Sequence, residues 1–272
     1  MCFVCWLTVT FAFGSFAQSP GTEITGLRAE IESLKLGQRQ LQKEMQLIRA
    51  MLAGKQLSPE APPLPGDVLI STAGSAALGS PSAKIMIVEF TDYLCPFCAR
   101  YSTDTFWRVV QQYVKSGHIQ YFLRNFPLDE AHPLAGKTAE AAECAGKQGK
   151  YWEAHEQLFR AAQGSSSISG FDAKAVLIGA SPSNAIGINR AEFEHCLDSG
   201  ASTARVNADR NEALRVGVDA TPTFFFGYRD SLDPTKMHAV KMLTGSQPLL
   251  SFERIIEYLL DPPPTVTNGG KN

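Results

Sequence analysis

The stretch TDYLCPFCARY, residues 91–101, places two cysteines two residues apart directly behind an apolar run, KIMIVEF (84–90). That junction constrains the fold more than any other feature of the chain. A short, near-continuous apolar run reads as a strand buried on both faces. Pro96 suits the first turn of a helix, where its missing N–H would have had no partner. Strand therefore passes straight into helix, with Cys95 at the first turn and Cys98 one turn on, on the same side. The thiolate is the attacking species in thiol chemistry, and the free N–H groups of a helix start favour negative charge there. The spacing is what a cycling dithiol needs: an exposed nucleophile and a shielded resolving thiol. A structural zinc site would need two more ligands, usually a second Cys or His pair, and Cys144 and Cys196 stand alone. A purely structural disulfide here would close a very small loop and remove little unfolded-state entropy. Cys95 and Cys98 read as a redox pair that holds no metal and needs no cofactor.

The rest of the chain orders itself around that junction. HIQYFLRNF (118–126) reads as a second strand, followed by about ninety residues of largely helical pattern. Strand character returns at TPTFFFG (221–227) and MHAVKMLTG (237–245), and SQPLLSFERIIEYLLD (246–261) closes as an amphipathic helix. The order β-α-β, helical block, β-β-α predicts an α/β sheet covered by helices, with an all-helical insertion at about 128–216. His155 shares a helical face with Tyr151, Leu158 and Phe159 and reads as core. His132-Pro133 reads as a helix start. Phe225, Phe226, Trp107 and Trp152 fit either the core or the rim of a groove.

Before the domain lie three segments of different composition. Residues 1–17, MCFVCWLTVTFAFGSFA, are apolar, too short to span a bilayer comfortably, and end in small residues at signal-peptidase spacing. They read as a signal peptide, although no Lys or Arg precedes the apolar stretch; left uncleaved, the segment would be a membrane anchor. Export makes the location periplasmic or otherwise extracytoplasmic and removes Cys2 and Cys5. The four remaining cysteines are then an even set that permits two disulfides.

Within 18–55, Ile24, Leu27, Ile31, Leu34, Leu41, Met45, Ile48 and Leu52 follow alternating three- and four-residue steps, with Gln38 the polar seam position. With Ile24 as position a, Glu23, Glu30 and Glu44 at g face Arg28, Lys35 and Arg49 at e of a second chain. A lone amphipathic helix would need the stripe but not the charge pairing, so a parallel coiled-coil homo-oligomer, a dimer by preference, is expected. Residues 56–66 are Pro-rich and read as a linker, the domain occupies 67–261, and 262–272 read as a disordered tail. A net charge of -2 gives no reason to expect a nucleic-acid partner.

VEFTDYLCPFCARY together with GVDATPTFFFG (217–227) resembles the DsbA-like branch of the thioredoxin-fold exported thiol-disulfide oxidoreductases, over about residues 66–261. The resemblance implies a thioredoxin fold, Cys95 as nucleophile and Cys98 as resolving thiol. It implies a cis bond at Thr221-Pro222 facing the pair, with Thr221, Pro222, Pro96 and Phe97 lining the substrate site. It also implies that Glu89 is a buried acid trading protons with Cys98; a Glu on a half-exposed strand is the alternative. Relatives carry a second disulfide in the helical block, which would join Cys144 and Cys196; two buried free thiols are the alternative.

The implied partners are exported cysteine-containing clients and a redox partner that recycles the pair. Strongly oxidising relatives have His where Phe97 stands, so a milder oxidant is expected. Thr221 and the stalk resemble the isomerase branch (DsbC and DsbG), while the Pro-Phe insert and helical block resemble the oxidases. A tethered chaperone with little redox role is the alternative from another class. A glutathione-dependent enzyme on this fold would usually lack Cys98.

Overall fold

The computed structural model describes residues 63–164, 169–179 and 186–262, with scattered helical positions between 31 and 45. Six strands form one sheet in the order β1-β6-β5-β3-β4-β2. They are β1 Pro63–Ser71, β2 Ala76–Leu78, β3 Ile85–Thr91, β4 Ile119–Asn125, β5 Thr223–Arg229 and β6 Lys236–Thr244. Among the described residues only the β3–β4 pair is parallel. It is joined by a helical crossover, α1 (96–114), as a parallel pair requires. α1 is not uniform: α-helical Pro96–Tyr101 and Trp107–Val109 alternate with wider π turns at Ser102–Phe106 and Val110–Val114.

The remaining helices are α2 Ala135–Gly146, α3 Tyr151–Gln163, α4 Ala173–Ile178, α5 Arg190–Asp198, α6 Thr203–Arg215 and α7 Leu249–Leu260. Helices α2 to α6 make the expected insertion between β4 and β5. The pleat of β3 explains why its seven residues are all buried. Ile85 and Ile87 face the core built with α1 and α7, against Phe106, Phe224 and Phe252. Met86, Val88 and Phe90 face the opposite core with Phe225 and Ala213. Glu89 and Thr91 continue the first face by the two-residue period, which carries them beneath the start of α1.

The helical block is fastened to the sheet by a buried ion pair, Arg124 Nε to Asp209 Oδ1 at 2.9 Å, and by the Asn125 N–H donating to Asp209 Oδ2 at 3.0 Å. Within the block, Cys144 on α2 and Cys196 on α5 form a disulfide. β5 and β6 carry a bulge between Phe226 and Gly227. A Cβ on Gly227 would stand 1.8 Å from the His238 carbonyl oxygen, so glycine is required there.

One detail differs from the expectation. Strand β1 begins at Pro63, inside the stretch read as linker, and pairs with β6 from there. Both β1 and β2 lie at sheet edges, where prolines and short strands are tolerated and the sequence signal is weak. Of the aromatic residues that fitted either core or rim, Phe225 and Phe226 are wholly buried core. Residues 1–17, most of the stalk and the segment 263–272 lie outside the described residues.

Candidate active site

The end of β3 and the first turn of α1 hold the two cysteines. Cys95 is the N-cap of Pro96–Tyr101, with its backbone extended and Pro96 at the first helical position. Its N–H donates to the Asp92 carbonyl at 3.1 Å, which closes a tight turn, and its own carbonyl accepts from Ala99 at 3.0 Å. Both cysteines are free thiols. Cys98 is fully buried and Cys95 retains 4% exposure. The expected nucleophile is therefore more covered than the sequence suggested. Part of that cover is the loop before β5, where the Thr221–Pro222 bond is cis. The Cys95 thiol points to the Thr221 carbonyl at 3.5 Å.

The two sulfurs differ sharply in acidity. The Cys95 pKa falls to about 7, chiefly because the Cys98 thiol donates a hydrogen bond to its thiolate. Burial and the Asp92 charge oppose that fall, while Thr221 and the Cys98 backbone N–H assist it. The Thr221 hydroxyl has no other hydrogen-bond partner and is free to serve the sulfur. Burial, and the cost of losing its bond to Cys95, push Cys98 well above the usual thiol range. The Asp92 N–H reaches the Cys98 sulfur at 3.5 Å. Of the helix-start amides expected to stabilise Cys95, the Cys98 N–H contributes, but less than the neighbouring thiol does.

Below the pair lies a buried acid. Glu89 is 1% exposed, so the half-exposed alternative does not apply. Desolvation raises its pKa to about 7, against a hydrogen bond that the Tyr121 hydroxyl donates to Oε2 at 2.6 Å. Tyr101 meets Tyr121 hydroxyl to hydroxyl at 3.1 Å. The Thr91 hydroxyl lies beside both the Glu89 carboxyl and the Cys98 sulfur. Glu89 Oε1 and Thr91 Oγ1 are both buried without a hydrogen-bond partner. Thr91 therefore stands beside both groups with no other partner to give up.

A family model described as Thioredoxin matches residues 71–243, well over half the chain. The chain belongs to the thioredoxin family. Its structural neighbours are thiol-disulfide oxidoreductases of the DsbA type. One is alpha-DsbA1 of Wolbachia pipientis, with 25% identity and a TM-score of 0.54, covering 72% of this chain and 92% of that one. BdbD of Bacillus subtilis shares the fold at 20% identity and a TM-score of 0.58, covering 71% of this chain and 97% of that one.

Among curated relatives, a probable disulfide bond formation protein D of Bacillus anthracis is 21% identical over 160 residues, 59% of this chain and 73% of that protein. A Na(+)/H(+) antiporter NhaA 1 of Mycobacterium sp. (strain KMS) is 35% identical over 149 residues, which is 54% of this chain. The chain spans about a fifth of the length of the antiporters it matches.

Every residue assigned to the thioredoxin-type site from sequence has a definite place. Cys95, Cys98, Thr221 and Pro222 converge. Pro96 is exposed at the turn, Phe97 beside it is half-buried against the core, and the Arg100 guanidinium lies 5.5 Å over the Phe97 ring. Cys144 and Cys196 are joined to each other within the helical block. His155 is enclosed by Tyr93, Phe106, Trp152 and Phe159, and burial lowers its pKa to about 3, so it is a neutral core residue.

Three residues had no such assignment. Thr91 and Asp92 were in plain view between the strand and the cysteines. His132, read as a helix start, is instead paired with Asp92 at 2.8 Å. An acid within three residues of a reactive thiol was the only sequence signal for that pairing.

Proposed function

We propose that this protein exchanges thiols and disulfides with exported, cysteine-containing clients, with Cys95 as nucleophile and Cys98 as resolving thiol. The observation that carries the reading is the asymmetry of the pair: one sulfur acidified toward neutrality and touching the Thr221 carbonyl, the other buried and held protonated.

In the reducing or isomerising direction, the Cys95 thiolate attacks a client disulfide, forms a mixed disulfide and expels one client thiolate. Cys98, losing its proton toward Glu89, then attacks Cys95. The Cys95–Cys98 disulfide forms and the second client thiolate leaves. In the oxidising direction the same steps run backwards. A client thiolate opens the Cys95–Cys98 disulfide, Glu89 returns the proton to Cys98, and a second client thiolate displaces Cys95. Proton transfer through a group whose pKa lies near the working pH is efficient in both directions. The backbone of Thr221 would pair with an extended client strand while Phe97 and Pro96 support it.

The DsbA-type neighbours and the disulfide-bonded helical block favour oxidation of clients, with a separate redox partner removing the electrons from Cys98 and Cys95. A signal peptide at residues 1–17 would deliver the chain to the periplasm or an equivalent compartment. Oligomerisation through the stalk is supported by the heptad charge pairing, and by Ile31, Leu34 and Met45, seam residues exposed on their helix. Oxidative refolding of a reduced client by the oxidised protein, with Cys95→Ser alongside, tests the reading. Loss of client oxidation in the variant is expected, and an unchanged rate would refute the enzymatic role.

A further inference from the structure

We propose that the Asp92–His132 pair sets the acidity of Cys95, with His132 a positioning residue that acts on the sulfur through Asp92. The inference rests on the reading of Cys95 as nucleophile. Asp92 is 2% exposed, and its carboxylate accepts the Leu94 N–H on Oδ1 at 2.8 Å and the Leu128 N–H on Oδ2 at 3.0 Å. Its third partner is His132 Nδ1, 2.8 Å from Oδ2. The main chain of the same residue holds the cysteines, through its carbonyl to the Cys95 N–H at 3.1 Å and its N–H to the Cys98 sulfur at 3.5 Å.

A buried carboxylate in this position builds the turn, but its charge opposes the thiolate that the reaction needs. His132, 5% exposed on the loop leading to α2, supplies the missing cation. Burial disfavours the imidazolium; the bond to Asp92 and the charges of Asp92, Cys95 and Asp129 outweigh it and hold the His132 pKa above its usual value. The titratable groups facing the imidazole are thus Asp92 and Cys95 from the redox turn and Asp129 from its own loop. Phe97, between the cysteines, brings no charge. The helical insertion therefore lends the redox turn a positive charge from 37 residues downstream of Cys95.

The test is a pH titration of thiolate absorbance near 240 nm on the reduced, full-length protein, its His132→Asn and Asp92→Asn variants and the double variant. Asn at 132 can keep a donor toward Asp92 while removing the charge. His132→Asn should lower the thiolate fraction at neutral pH about three- to tenfold, the effect of leaving one nearby charge uncompensated. The double variant should return to within about twofold of the parent, because both charges are then gone. Asp92→Asn alone should hold at least as much thiolate as the parent.

A His132→Asn titration that matches the parent overturns the proposal, as does a double variant worse than the single or an Asp92→Asn variant with less thiolate. Each of those outcomes leaves the oxidoreductase reading standing. A parent protein with no thiolate below about pH 8.5 brings down both.

Discussion

Replacing Glu89 by Gln tests whether the acid under the redox pair is held neutral by burial. Its pKa stands at about 7 in the fold against 4.5 for a free side chain. That rise is equivalent to about 3 kcal/mol. The sign follows from linkage. Below about pH 4.5 the group is protonated in both the folded and unfolded chain, and it costs nothing. Between about 4.5 and 7 the unfolded chain releases the proton while the folded chain keeps it, so stability falls with rising pH. Above about pH 7 the whole penalty is present. Gln carries no charge and can still accept from Tyr121.

Chemical denaturation of parent and Glu89→Gln at pH 4.5 and pH 8, both with the Cys95–Cys98 pair reduced, reads the difference. The variant should gain about 2–3 kcal/mol over the parent on moving to pH 8. Glu143, whose pKa burial also raises to about 7, titrates in the same window in both proteins and cancels. A stability difference that is the same at both pH values would refute the argument that Glu89 is buried as the neutral acid.

Replacing Cys144 and Cys196 together by Ala should cost about 4 kcal/mol by loop entropy, for a bond spanning 52 residues, seen as a lower denaturation midpoint with redox exchange retained. Deleting residues 20–54 should convert an oligomer into a monomer in light scattering; an unchanged assembly would rule out the stalk. Phe97→His places a cation beside the sulfur and should lower the Cys95 pKa further and shift the glutathione equilibrium toward the dithiol, making the protein more oxidising. An unshifted equilibrium would show that this position does not tune the pair.

Much of the fold was legible because its central elements carry strong local signals. β3 is buried throughout and apolar but for Glu89 and Thr91, α7 places Phe252, Ile255, Ile256 and Leu259 on one buried face, and Pro96 marks a helix start. The edge strands were missed because β1 begins in a Pro-rich stretch and β2 is only three residues long. The π turns of α1 have no periodic signature in STDTF or VQQYV. In the site, Cys95 and Cys98 announce themselves by spacing. The roles given to Thr221, Pro222 and Glu89 came through family resemblance, and the fold then brought the first two to Cys95 and placed Glu89 beneath the start of α1.

The Asp92–His132 pair was invisible for a physical reason. Its partners lie 40 residues apart, and only the packing of the insertion against the end of β3 brings them together. Burial of Cys95 was also out of reach of the sequence, because the covering residue, Thr221, lies 126 residues downstream.

One thiol of the pair is acidic and the other is not. The direct measurement is the pH dependence of iodoacetamide labelling of the reduced protein, with the modified residue identified by mass spectrometry. Half-maximal labelling is expected near pH 7, all of it on Cys95, with Cys98 unmodified across the range. Labelling that rises only above about pH 8.5, or that falls on Cys98 as readily as on Cys95, would contradict it.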